Sequence, residues 1–219
     1  MKIRWQILQC TRFTTLLLVF LLATLHGFTQ KVFSEGVIKY DVFLNNESEP
    51  QGIYLITIKT GFIKRELVMN SGYDNVIIFN HKTGTSISLN VNDDDKYALQ
   101  LTATEVLEKN KQFEKAEFIA GSDTKKIAGY SCQQQTITYK NKEKANFYYT
   151  ADLIPSSEHF NTMFPGLKGI PLEYEVKAAN NSSMKFIAQR VEIKSIDLSS
   201  FDIPKDYKIV TKAELEKIK

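Results

Sequence analysis

The hydrophobic pattern of this chain repeats every two residues, and turn-forming residues interrupt it at short intervals. Ile38, Tyr40, Val42 and Leu44 alternate with Val37, Lys39, Asp41 and Phe43. Successive side chains of a strand point to opposite faces, so this alternation marks strands. Residues 45–52, with Asn45, Asn46, Pro50 and Gly52, are a turn by composition. Residues 53–60 and 62–70 read as two strands joined at Gly61. Residues 75–80 and 85–91 flank a hairpin connection at 81–84, and 96–101 follows a turn at 92–95. Parallel strands need long crossovers, and connections this short leave no room for them. The spacing therefore predicts a mostly antiparallel sheet.

The pattern then changes. Residues 102–109 suit a short helix, with Thr102 as N-cap and Glu105 three residues on, the spacing of a capping box. Strands resume at 116–120 and 125–129, broken at 121–123, and a hairpin joins 132–140 to 146–149. Ser156 or Ser157 caps a single helical turn reaching Met163, and a loop with Pro165, Gly166, Gly169 and Pro171 follows. The cleanest strand is 170–178. Ile170, Leu172, Tyr174, Val176 and Ala178 take one face, expected to be buried; Pro171, Glu173, Glu175 and Lys177 take the other, expected to be wet. Asn180 and Asn181 turn the chain into a long strand at 184–196. Residues 201–208 are extended, and 211–219 form a helical tail. With no repeat, linker or composition shift, residues 30–210 read as one domain.

Residues 1–29 have the layout of a secretory signal peptide. Lys2, Arg4 and Arg12 precede an apolar run from 13 to 25, and Gly27 and Thr29 are the small residues before a cleavage near Gln30. The run is shorter than the roughly 20 residues of a transmembrane helix, so no membrane span is expected in the mature chain. The expectation is an exported protein, periplasmic or extracellular. The leader holds three of the 28 Lys and Arg and none of the 25 Asp and Glu, which leaves the remainder balanced. Nucleic-acid binding needs a surplus of basic residues to displace counterions, and none remains. Cys10 lies ahead of the apolar run, so Cys132 is the one mature cysteine and reads as a small buried hydrophobe, a reactive thiol or half of an intermolecular bridge.

No cofactor, metal or catalytic motif appears. His81 and His159 are far apart, lack metal-ligand spacing and read as surface histidines. Asp93, Asp94 and Asp95 do not meet the alternate-oxygen spacing of a calcium loop and read as a polar hairpin tip. No nucleophile turn or phosphate loop is present.

Three ordered pieces suggest a family. They are Lys126-Ile127-Ala128-Gly129-Tyr130-Ser131-Cys132, then Leu167-Lys168-Gly169-Ile170-Pro171-Leu172-Glu173-Tyr174-Glu175, then Phe201-Asp202-Ile203-Pro204-Lys205-Asp206-Tyr207-Lys208. After a signal peptide, this set resembles an uncharacterised family of bacterial exported proteins known only as a domain of unknown function. That family is similar in architecture to the periplasmic lipoprotein carriers, LolA-like and LolB-like. The resemblance implies a mostly β (α+β) fold: a single curved antiparallel sheet forming an incomplete barrel, with a few short helices covering the open side of a LolA-like half-barrel. It brings no catalytic residue. The carriers gate their ligand with an arginine; Arg65 or Arg190 could serve, though neither sits in a matching motif.

Residues 53–58 and 76–79 are apolar on both faces, which requires cover on both sides or a cavity on one. Phe160, Met163, Phe164 and Leu167 beside Pro165 and Gly166 read as a flap over such a cavity, or as a plug closing the sheet. Ile170, Leu172, Tyr174 and Val176 are the expected cavity lining. The expected function is non-catalytic binding of a lipid or acyl-chain ligand in the periplasm. The alternative is a cell-envelope module whose sheet edge or flap binds another protein, with a solid core and no small ligand.

Overall fold

The structure is a computed structural model and describes residues 30–92, 95–177 and 182–218. The leader, Asp93 and Asp94 of the expected hairpin tip, and the turn at Asn180 and Asn181 lie outside the described residues.

Fourteen strands build the fold among the described residues. They are β1 (Lys31–Phe33), β2 (Gly36–Leu44), β3 (Gly52–Lys59), β4 (Phe62–Met69), β5 (Asp74–Asn80), β6 (Ser86–Asn92), β7 (Asp95–Leu101), β8 (Glu117–Ile127), β9 (Tyr130–Thr138), β10 (Lys144–Thr150), β11 (Leu153–Pro155), β12 (Ile170–Lys177), β13 (Ser183–Glu192) and β14 (Lys208–Thr211). Helix α1 (Ala103–Asn110) follows β7, and α2 (Lys212–Ile218) follows β14. Twelve strands share one curved sheet in the order β14-β7-β6-β5-β4-β3-β2-β13-β12-β10-β9-β8. β2 to β7 form an antiparallel meander. The chain then crosses to the far edge at β8 and works back until β13 pairs with β2. β14 and β8 stay at opposite edges, so the sheet does not close into a barrel. β1 and β11 form a separate parallel ribbon.

Register puts one alternating set on a common inner face. Tyr40 of β2 lies opposite Tyr54 of β3 and Ala188 of β13, Ile56 opposite Arg65 of β4, and Tyr174 of β12 opposite Phe147 and Phe186. Ile38, Tyr40, Val42, Ile58, Ile63, Ile137, Phe147, Ile170 and Leu172 on these strands are fully buried or nearly so. The opposite face of β2, β4 and β5 is apolar too. Val37, Phe62, Val76 and Ile78 there are covered by Ile196 and by Phe201 from the 3-10 turn Leu198–Phe201. The two-sided apolar stretch at 76–79 thus has cover on both sides. The Thr102 and Glu105 capping box of α1 forms as expected, with each residue satisfying the other's backbone amide.

Four expectations need correction. Residues 116–129 do not hold two strands, because β8 runs unbroken past Gly121 by shifting register between Ala120 and Thr124. The strand after Ser183 stops at Glu192 rather than 196, where the chain leaves to cover the outer face. The stretch expected to be extended at 201–208 is instead the end of a 3-10 turn and a loop, and the strand here is β14, which pairs parallel with β7 across about a hundred residues of sequence. The supposedly wet face of β12 is partly buried. Pro171 is covered, and Glu173 is only 8% exposed because Lys125 of β8 and Lys185 of β13 both pair with its carboxylate.

Candidate functional site

Residues 156–169 lie across the inner face of the sheet. Ser157 begins this cover, its hydroxyl accepting the amide of His159 at the start of the 3-10 turn Glu158–Asn161. Phe160 meets the edge of Phe33, and Phe164 packs between Phe147 (4.6 Å between ring centres) and Tyr174 (5.5 Å). Phe160, Phe164 and Leu167 are buried and Met163 is half-buried.

Three hydrogen bonds from side chains outside the segment hold it down, and a fourth closes it on itself. Arg65 Nη2 donates to the carbonyls of His159 and Phe160, both at 3.1 Å. Tyr139 Oη donates to the carbonyl of Met163 at 2.8 Å. Asn161 Nδ2 donates to the carbonyl of Gly169 at 2.8 Å. Gly169 is required by close packing, since a Cβ there would stand 2.3 Å from the Thr150 carbonyl oxygen.

Beneath the segment is a cavity of about 50 Å³, lined by Tyr40, Tyr54, Ile56, Arg65, Phe160, Asn161, Thr162, Met163, Phe164, Pro171 and Tyr174. This is room for one or two waters. On the outer side of Met163 lies an open groove of about 440 Å³ between Phe113, Tyr139, Ala145 and Val176, with Glu143, Lys144, Glu175 and Lys177 on its rim. Met163 lines both spaces. The groove has the volume of a small-ligand site and the inner cavity does not, so only entry into the inner cavity requires Met163 or the whole segment to move.

Of the eight residues singled out from the sequence, Phe160, Met163, Phe164 and Tyr174 border the inner cavity, and Val176 borders the groove. Leu167, Ile170 and Leu172 are packed into the core and line neither space. Arg65 and Arg190 have different surroundings. Arg65 is half-buried under the segment, whereas Arg190 is exposed and pairs with Glu192. Arg65 was legible as a charge on the inward face of β4, between Ile63 and Leu67. A larger hollow, about 620 Å³, lies between α1, α2 and Leu99 and Leu101 of β7, at the far edge of the sheet.

Burial raises the proton affinity of Tyr40, Tyr54 and Tyr174, and the neighbouring Arg65 offsets this only in part. The three phenols stay neutral and keep their protons for hydrogen bonding. Tyr40 donates to the Pro171 carbonyl; the hydroxyls of Tyr54 and Tyr174 have no partner among the described residues. Cys132 is buried and burial pushes its thiol up to about 11, which makes it a poor nucleophile.

The histidines are not separate surface residues. Their rings stand 5.5 Å apart, both against Phe79, with His81 half-buried and its Nε2 lacking a partner. Burial, then His159, then Arg65 lower the pKa of His81 below its ordinary 6.5. The unfolded chain then binds this proton more readily than the folded one, so stability drains away as pH falls below about 6.5. Amide protection of residues 158–161 should therefore weaken as pH is lowered from about 7 to about 5. In His81→Gln that loss should disappear, as measured by hydrogen-exchange protection factors; an identical loss in the variant would assign it elsewhere.

No protein-family model matches the chain, and no curated protein matches it in sequence. Solved structures do resemble it. PNGF-II shares 18% identity at a TM-score of 0.48, covering 84% of this chain and 33% of its own, so this chain spans about a third of that protein. The Mycobacterium tuberculosis lipoprotein LppX shares 8% identity at a TM-score of 0.37, covering 75% and 90%. A LolA-superfamily protein of Nitrosomonas europaea shares 6% at 0.35, covering 80% and 93%. At these scores no ligand or activity passes from those proteins to this one.

Proposed function

We propose that the chain is a non-catalytic exported protein that binds an apolar or lipid-like ligand beneath residues 156–169, which act as a movable flap. In this reading residues 1–29 are the export leader, 30–210 the binding domain and 211–219 a tail, and the protein works in the periplasm. The observation that carries the reading is how the cover is held. A segment presenting Phe160, Met163 and Phe164 to an aromatic cavity is tied down chiefly by side-chain bonds to its backbone carbonyls, from Arg65 and Tyr139. Such ties can be exchanged for ligand contacts without disturbing a strand. Among the described residues no helix is long and apolar enough to cross a membrane.

The rival reading is an envelope module that binds a protein partner. It is favoured by the small inner cavity, which leaves the core nearly solid with the flap down. Native mass spectrometry of the protein purified from its own periplasm without detergent separates the two. Extra mass that leaves as lipid on denaturation supports the carrier; a bare chain that copurifies with a defined protein supports the rival.

The flap itself is tested by Arg65→Gln. Charge-assisted hydrogen bonds are worth about 1.5–3 kcal/mol each, less here because Arg65 is half-exposed. Removing the pair should still accelerate exchange of the flap amides by about tenfold or more while the amides of β2 and β3 stay protected. Unchanged flap exchange would rule out Arg65 as the latch.

A further inference from the structure

Arg65 is a cation without an anion. It makes no ion pair among the described residues, and its bonds, both from Nη2, go to two flap carbonyls. A guanidinium carries five N–H donors, and among the described residues Nε and Nη1 make no bond. The hydroxyls of Tyr54 and Tyr174 line the same cavity and are also unused. Among the described residues no acidic side chain lines the cavity. The charges felt by Tyr40, Tyr54, Tyr174 and His81 include Arg65 in every case and a carboxylate in none. The polar end of the cavity is thus an electropositive cluster of Arg65 and two phenol donors, with His81 and His159 behind the flap turn.

We infer that this cluster receives the anionic headgroup of a long-chain amphiphile, with a fatty-acid carboxylate as the simplest case. The inference rests on the ligand-binding reading above and names its ligand class. A carboxylate matches the guanidinium fork with two parallel bonds, roughly twice as strong as bonds to neutral acceptors. It therefore displaces the carbonyls of His159 and Phe160 from Arg65. Headgroup capture and flap release become one event, because the group that holds the flap is the group that holds the ligand. The freed flap lets Met163 swing aside, and the apolar tail runs into the groove along Phe113, Ala145 and Val176. Asn161 is 5% exposed and its Oδ1 is an acceptor with no partner. A bridging water donates to Oδ1 and to the carboxylate together, which reconciles two acceptors in one small space.

The test compares tritiated hexadecanoate with tritiated hexadecan-1-ol, both delivered from cyclodextrin at mildly alkaline pH. The chains are the same length and only the head differs. The wild-type protein should bind the acid about tenfold or more tighter than the alcohol. Arg65→Gln should bring that ratio close to one while alcohol binding persists. The double variant Tyr54→Phe, Tyr174→Phe should lower the ratio several-fold with the charge retained, which covers the case of a poorly folding Arg65 variant. Equal affinity of the wild-type protein for both probes overturns the inference and leaves apolar binding standing. Binding of neither probe overturns the ligand reading as well.

Discussion

Truncation of Leu172 to alanine should lower the free energy of unfolding by about 2–5 kcal/mol, the range for deleting a fully buried leucine. Leu172 is completely buried on the inner face of β12 and borders neither cavity nor groove. The surrounding strands β10 and β13 are locked by ladders on both sides and cannot collapse into the space left behind. The loss should appear as a lower urea midpoint with an unchanged slope. Affinity for a fluorescent fatty-acid probe should stay within about twofold once folding is complete. The opposite pattern, a small stability loss with a large affinity loss, would mean that Leu172 faces ligand space.

Met163→Asp should do the reverse. Met163 lines both the inner cavity and the groove, and in the proposed reading the ligand passes it. A carboxylate there places a charge on the path of an apolar tail, where an unpaired charge costs several kcal/mol to desolvate. It also competes for Arg65, the cavity's cation. Probe binding should vanish. The fold should survive, because Met163 is only half-buried and its backbone carbonyl still accepts from Tyr139. Circular dichroism and the melting midpoint check the second point. Unchanged probe affinity in a folded variant would remove the flap from the binding site.

These two residues also show how far the pattern of residues reaches. Both were singled out from apolar character, and alternation placed Leu172 on a core face. Alternation carries facing, and facing alone does not distinguish a solid core from a cavity wall. That distinction depends on what crosses above the strand, here Phe164 between Phe147 and Tyr174. Glu173 illustrates the opposite failure. Its polarity and register position read as solvent-facing, yet lysines from β8 and β13 converge on it. Long side chains from distant strands can bury a charge by pairing with it, and no local pattern records this.

The strands of the meander, their antiparallel pairing, the turns and the capped helix α1 are all written in local residue patterns. These depend on residues within a few positions of one another: alternation at 37–44, the turn-forming Asn45 and Asn46 between β2 and β3, and Thr102 with Glu105. No local pattern shows that Arg65 reaches the carbonyls of His159 and Phe160, that His81 meets His159, or that β14 joins β7. Each of those contacts joins segments roughly eighty or more residues apart. Such contacts form because a curved sheet brings distant strands and their cover together, so the geometry of the candidate site belongs to the fold.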